Sequence, residues 1–246
     1  MTYLYHALVS VPLYNGFILL FDVIPWLDAG MAVILFTIIV KLILFPLAKK
    51  SVVTQLMMKK VDPEVRKIKA KYPNDNQKQA SETMALYKKY GVNPFSSFLL
   101  LLIQLPILIA LYSIFYSSGL PKVDSSLLYS FVSIPHIDMF FLGFLDISKS
   151  NWIIALLAAV SQYYQIKLSV PAVPPKKPGE TPSFQDELAR SMGSNMKYVF
   201  PIVIFFISFK LAAALGIYWV VSNLFMIGQE LFVKRKLEAE YANKTF

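Results

Sequence analysis

The sequence predicts an all-α polytopic membrane protein: a five-span helical bundle with a polar groove, a cytoplasmic helical hairpin and an N-terminal interfacial helix. Three observations predict it. Of 246 residues, 56% are hydrophobic and only 16% charged, and mean hydropathy is +0.53; soluble domains average about 25% charged residues and depend on them for solubility. Five segments (29–47, 94–117, 151–168, 198–215 and 216–232) approach the roughly 20 apolar residues that a span requires. The net charge of +9 is also unevenly placed: residues 48–93 carry eleven Lys/Arg against four acids, whereas residues 118–150 sum to −1. Alternating the spans puts every basic excess on one side, as the positive-inside rule requires for the cytoplasm. The amino end then lies outside and the carboxyl end inside.

Residues 1–28 contain no Lys or Arg, and Leu4–Ile24 is apolar enough to cross. Pro12, Asn15, Gly16 and Asp22 interrupt it, so a helix lying in the outer interface is the preferred reading. It lacks the basic start and small-residue cleavage site of a signal peptide. The first span, 29–47, contains Lys41, eight residues before Lys49 and so about 12 Å of helix from the cytoplasmic end. An ionised Lys at mid-span costs about 2.5–3.5 kcal/mol, which something must offset. The side chain either snorkels toward the headgroups or lines a hydrated cavity. Thr37, one turn earlier on the same face, favours a polar wall.

Within 48–93, Val61, Val65 and Ile68 recur at helical spacing among basic residues, and Pro63 suits a first helical turn. Tyr72-Pro73-Asn74-Asp75-Asn76 is a turn signal. Met84, Leu86, Tyr87 and Tyr90 supply a second apolar stripe, ended by Gly91 and Pro94. This is a helical hairpin, either held at anionic headgroups or used for docking. The second span (94–117) carries Ser97 and Gln104, seven apart on one face; an extracytoplasmic loop, 118–150, follows. The third span (151–168) carries Gln162 and Gln165 in its cytoplasmic half. The cytoplasmic loop 169–197 includes the run Pro171–Gly179, a flexible linker by composition. Spans four (198–215) and five (216–232) precede a cytoplasmic tail, 233–246, and the fifth holds Trp219 and Asn223. Singly, such polar groups are explained by helix–helix hydrogen bonding. Together they suggest one shared groove lined by Lys41, Thr37, Gln104, Gln165, Trp219 and Asn223.

The absences narrow the chemistry. There is no cysteine, and His6 and His136 are the only histidines, so thiol chemistry and a His/Cys metal site are excluded. No predicted span holds an acid before Glu230, so a carboxylate relay lacks its central group. Neither a nucleophile elbow, a zinc-protease motif nor a phosphate-binding glycine loop occurs. No catalysis and no cofactor are expected.

Two long blocks resemble the YidC/Oxa/Alb membrane protein insertases. One contains Pro63, Ile68, Lys71-Tyr72, Leu86-Tyr87-Lys88, Val92-Asn93-Pro94 and Gln104-x-Pro106. The other contains Ala214-Leu215-Gly216, Tyr218-Trp219 and Ser222-Asn223. The resemblance covers nearly the whole chain and is to bacterial members without a large extracytoplasmic domain. It implies a groove open to cytoplasm and lipid but closed outside, in a multi-pass protein of the bacterial cell membrane. The family's functional cation falls on Lys41, where Arg is usual; lysine keeps the charge and loses the planar fork. Gln165 and Trp219 fall on groove positions. Ser96-Ser97 stand where glycines are common, and Leu100 where proline is frequent. The implied partners are nascent membrane proteins and the lipid bilayer, with the ribosome, signal-recognition machinery and a Sec translocon as further candidates and no direct nucleic-acid binding. A carboxyl end of only +1 from Gln229 onward argues against ribosome docking through that segment. The expected function is insertion and folding of short-tailed membrane proteins; the alternatives are a small-solute transporter or channel, and a chaperone that only holds unfolded spans.

Overall fold

The computed structural model describes residues 5–73, 75–93, 96–117, 120–169 and 195–242. The proline-rich run at 171–179 and the side chains of Ser96, Ser97 and Leu100 lie outside the described residues. Among the described residues the chain forms seven main helices and one small β-hairpin.

Helix α1 (His6–Val23) opens with a wide π-type turn and continues as α-helix from Val11, with Pro12 in the α-helix's first turn. It is long and apolar enough to cross a membrane. The polar residues that argued for an interfacial position all find partners. Asn15 donates to Leu127 O (2.8 Å) and accepts from Tyr129 N (2.7 Å), and Asp22 accepts from Ser133 N (2.9 Å). All three partners are in the loop 120–151. Phe17 is fully buried, with Phe21, Phe36 and Phe115 edge-on at 5.6, 5.6 and 5.9 Å.

Helix α2 (Ala29–Lys71) is 43 residues long and unbroken, so the first span and the first arm of the hairpin are one helix, without a boundary at residue 47. Asp28 caps it, accepting from Met31 N at 2.7 Å. Pro46 and Pro63 sit inside it; each removes one helical amide, and the helix persists through both. Along its apolar half, Ala29, Val33, Thr37 and Lys41 form a buried stripe, while Ile39, Leu42 and Ile43 are exposed.

Helix α3 (Asn76–Lys89) folds back to complete the hairpin. Asp75 caps it through Lys78 N (2.9 Å), and Gln79 ties it to Tyr72 O (2.5 Å). Its end is a Schellman motif: Val92 N donates to Tyr87 O and Gly91 N to Lys88 O, with Gly91 at φ +65°. Tyr90 donates to Glu64 (2.5 Å), joining the arms. That bond raises the Tyr90 phenol above its usual pKa, while burial and then Asp62 raise that of Tyr87.

Helix α4 (Ser96–Tyr112) ends in a π-type turn, Ser113–Ser117, and α5 (Trp152–Ser169) follows the loop 120–151. That loop includes strands β1 (Phe140–Phe141) and β2 (Leu145–Asp146), paired antiparallel, and buries Val132, Ile137, Met139 and Ile147. Helix α6 (Phe200–Lys210) is separated from α7 (Ala213–Ala242) at Leu211-Ala212. Hydropathy had put this boundary between 215 and 216. The break falls earlier because other groups satisfy the backbone there: Ala213 N and Ala214 N donate to Lys149 O and Ile147 O (2.8 and 3.1 Å), and Ala212 N donates to the Tyr116 hydroxyl (2.6 Å). Gly216 lies inside α7, where an added Cβ would sit 2.6 Å from Ile154 Cγ2 and 2.7 Å from Ser208 Oγ.

Helix α7 packs extensively on both α2 and α5, and α6 packs on α5. Outward faces are apolar: Trp152, Ile153, Leu156, Leu157 and Val160 on α5, and Ile202, Val203 and Phe206 on α6, are exposed. In water an apolar surface of this extent marks an interaction site; around a helical bundle it is a lipid-facing sheath. α1, α2 and α7 are long and apolar enough to cross a membrane, whereas Gln162, Gln165 and Lys167 lower the hydropathy of α5.

Candidate functional site: a buried network of cation, amide and hydroxyl groups

The inward stripe of α2 carries Lys41 into the bundle, where it is 8% exposed. Its Nζ donates to Gln104 Oε1 on α4 at 2.8 Å, and Gln104 Nε2 donates to the hydroxyl of Tyr218 on α7. Three helices, far apart in sequence, converge on this chain of contacts. Among the described residues Gln104 is the one polar partner of Lys41, so a buried cation is held by a neutral amide with no carboxylate against it. Thr37 is almost fully buried, and its hydroxyl is engaged within its own helix, donating to Val33 O at 2.6 Å.

A second polar line runs along α5 and α7 toward Ser169 and Glu230. Asn223 donates to Ser161 Oγ (3.1 Å), which donates to Ala158 O (2.9 Å). One turn on, Gln162 donates to Gln165 (3.1 Å), Gln165 to Ser169 (3.0 Å), and Ser169 to Glu230. Glu230 is 4% exposed and pairs with Lys234 at 2.5 Å, whose Nζ also donates to Leu168 O (3.2 Å). The two lines differ electrostatically. The carboxylate of Glu230 is matched by a cation one turn away, whereas the ammonium of Lys41 meets no anion among the described residues.

Of the six residues expected to share a groove, the structure joins Lys41 to Gln104, seats Thr37 one turn from Lys41, and places Gln165 and Asn223 in the α5–α7 line. Trp219 is half-buried and takes no part in these hydrogen bonds among the described residues. Sequence reasoning passed over Tyr218, Ser161, Ser169 and Glu230. Tyr218 was read only as the neighbour of Trp219, and Glu230 as the end of a span. The spacing of Glu230 and Lys234, four apart on a helix, was the available signal for the latter. Among the described residues no three His, Cys, Asp or Glu side chains gather into a metal-binding group.

An apolar sheath enclosing amides, hydroxyls and an unmatched cation defines a multi-pass helical membrane protein built to handle a substrate by contact. Comparison with known proteins makes this specific. The chain belongs to the family described as 60Kd inner membrane protein, whose model matches residues 20–240. It is similar to the membrane protein insertase YidC of Clostridium tetani, with 37% identity over 221 residues, covering 89% of this chain and 88% of that protein. The insertase YidC of Fusobacterium nucleatum is 34% identical over 207 residues (84% and 86% covered), and that of Clostridium acetobutylicum 35% over 219 (86% and 77%). The family is one of insertases and not of enzymes, and the resemblance first carried by the two sequence blocks holds over most of the chain.

Proposed function

We propose that this chain is a membrane protein insertase and chaperone of the bacterial cell membrane, working through a polar groove between α2, α4, α5 and α7 that opens to the cytoplasm and to lipid. The observation that carries this is Lys41, a buried cation whose one polar partner among the described residues is a neutral amide. An acidic residue in the polar flank of an incoming chain is the partner such a cation lacks. The α5–α7 line of Gln162, Gln165, Ser169 and Glu230 supplies hydrogen-bonding groups between that cation and the cytoplasm.

The drive comes from the substrate. Twenty Leu- or Ile-like residues entering lipid gain about 0.3–0.6 kcal/mol each, or roughly 6–12 kcal/mol, so no nucleotide is required. The barrier lies in carrying a polar flank across hydrocarbon, and hydration part-way shortens that path. Burial of the extracytoplasmic loop against α1 and α2 supports closure on the outside. The charge map supports five core spans with the amino end out and the carboxyl end in, α1 lying across their outer end. The hairpin, with its +7 charge between residues 48 and 93, suits recruitment of incoming chains beside anionic headgroups. Ribosome, signal-recognition and Sec partners would meet the protein on that face.

The test is reconstitution of the purified chain into liposomes with a short single-span substrate, scoring protease-protected insertion. Insertion above protein-free liposomes is expected. Its absence, or saturable flux of a small solute in its place, would overturn the proposal.

A further inference from the structure

The cytoplasmic seam of α2 and α7 carries one pattern twice: Phe45-x-x-x-Lys49 on α2 and Phe232-x-x-x-Lys236 on α7. A spacing of four stacks the ring and the ammonium on one helical face. The two phenyl rings face each other with centroids 6.5 Å apart, tilted by 55°. With Val233 and Leu237 they line a cavity of about 130 Å³, and Lys49 and Lys236 stand at its rim. Phe232 is 59% exposed, both lysines are exposed, and neither lysine is ion-paired among the described residues. Lys49 lies about 12 Å along α2 from Lys41, which puts the rings at the inner edge of the hydrocarbon and the ammoniums at headgroup level.

We propose that this seam binds one anionic phospholipid, its phosphate held between Lys49 and Lys236 and the first methylenes of an acyl chain lying on Phe45, Phe232 and Leu237. Two cations that are unpaired among the described residues select a net negative headgroup over a zwitterionic one. The apolar floor beneath them selects a lipid over a soluble anion, because only a lipid carries methylenes to cover the rings. The site is apart from the Lys41 network but is built on two of its helices, so a bound lipid pins the cytoplasmic ends of the pair that carries Lys41 and Tyr218. This inference does not depend on the insertase reading.

The test uses the purified full chain in detergent, titrated separately with phosphatidylglycerol, phosphatidylcholine and glycerol phosphate, with bound molecules counted by native mass spectrometry. One phosphatidylglycerol should be retained in preference to phosphatidylcholine, and glycerol phosphate should not compete at equal concentration. Neutralising a lysine near an anionic headgroup should weaken retention about fivefold, and Lys49→Gln with Lys236→Gln about 25-fold. The matched control, Lys59→Gln with Lys67→Gln on the exposed hairpin, removes the same charge and should change retention less than about twofold. Equal retention by the Lys49/Lys236 variant and wild type would overturn the proposal. So would an equal loss in the control, which means diffuse surface attraction. Full competition by glycerol phosphate would show a soluble-anion site in its place.

Discussion

Replacing Lys41 by Met should separate stability from function. A cation at mid-span costs about 2.5–3.5 kcal/mol. Against this the fold sets one hydrogen bond to Gln104 at 2.8 Å, and a bond involving a charged group contributes about 1.5–3 kcal/mol. Removing the ammonium relieves the first and forfeits the second, so unfolding stability in detergent should move by no more than about 2 kcal/mol. Insertion should respond otherwise. A substrate carboxylate meeting Lys41 in the bundle gains a charge-assisted bond of about 1.5–3 kcal/mol, so Lys41→Met should slow insertion of acidic-flanked substrates about 10- to 150-fold. Neutral-flanked substrates should slow far less, and Lys41→Arg should retain activity. The assay is the initial rate of protease-protected insertion into liposomes, alongside thermal unfolding in detergent. If acidic and neutral substrates slow equally while the protein melts earlier, Lys41 is a structural residue and the electrostatic argument fails.

Gly216→Ala should destabilise by about 1–3 kcal/mol through overpacking, because its Cβ meets both Ile154 and Ser208. Ser208→Ala, which removes a buried hydroxyl without a hydrogen-bond partner among the described residues, should recover part of that loss in the double variant; strict additivity in thermal unfolding would argue against the contact. In this cysteine-free chain, Ser125→Cys and Ser183→Cys should be labelled by impermeant maleimide from opposite sides of the membrane, and same-side labelling would break the five-span topology. The Asp146 carboxyl is held below its usual range chiefly by the Ser148 hydroxyl, and that of Asp124 by Ser126. A carboxyl lowered in the folded state contributes fully above the unfolded value near 3.8 and loses that contribution as pH falls through the lower folded one. Amide exchange at Ser126 and Ser148 should therefore stay slow down to about pH 4 and quicken below it, whereas quickening between pH 7 and 5 would implicate other groups.

The helical, membrane-spanning character of the chain was legible because lipid imposes a length and a polarity on whatever crosses it. The inward face of α2 could be read from Thr37 and Lys41, four apart. Gln104 meeting Tyr218 could not, since partners 114 positions apart depend on how two helices are set in register, which no local pattern encodes. The break at Leu211-Ala212 was hidden for a different reason. Leu211 to Leu215 is apolar throughout, and what ends α6 is the offer of carbonyls by Ile147 and Lys149 from another part of the chain. The polar residues of α1 were read as reasons against crossing; their partners sit in a loop more than a hundred residues away.

The unbroken α2 has a mechanical consequence. A rod of 43 residues, about 65 Å long, has the Lys41 turn less than a third of the way along it and the basic arm at the far end. Whatever tugs on the arm applies torque to the rod, and the load is relieved first where a rung of the backbone ladder is missing. Of the two such places, Pro46 is the one nearer Lys41, five residues beyond it, since its ring leaves the Leu42 carbonyl without its helical donor. An arm that swings must therefore flex the helix at Pro46 or twist Lys41 away from Gln104. Stiffening that joint with Pro46→Ala would couple cytoplasmic capture more tightly to the buried ammonium.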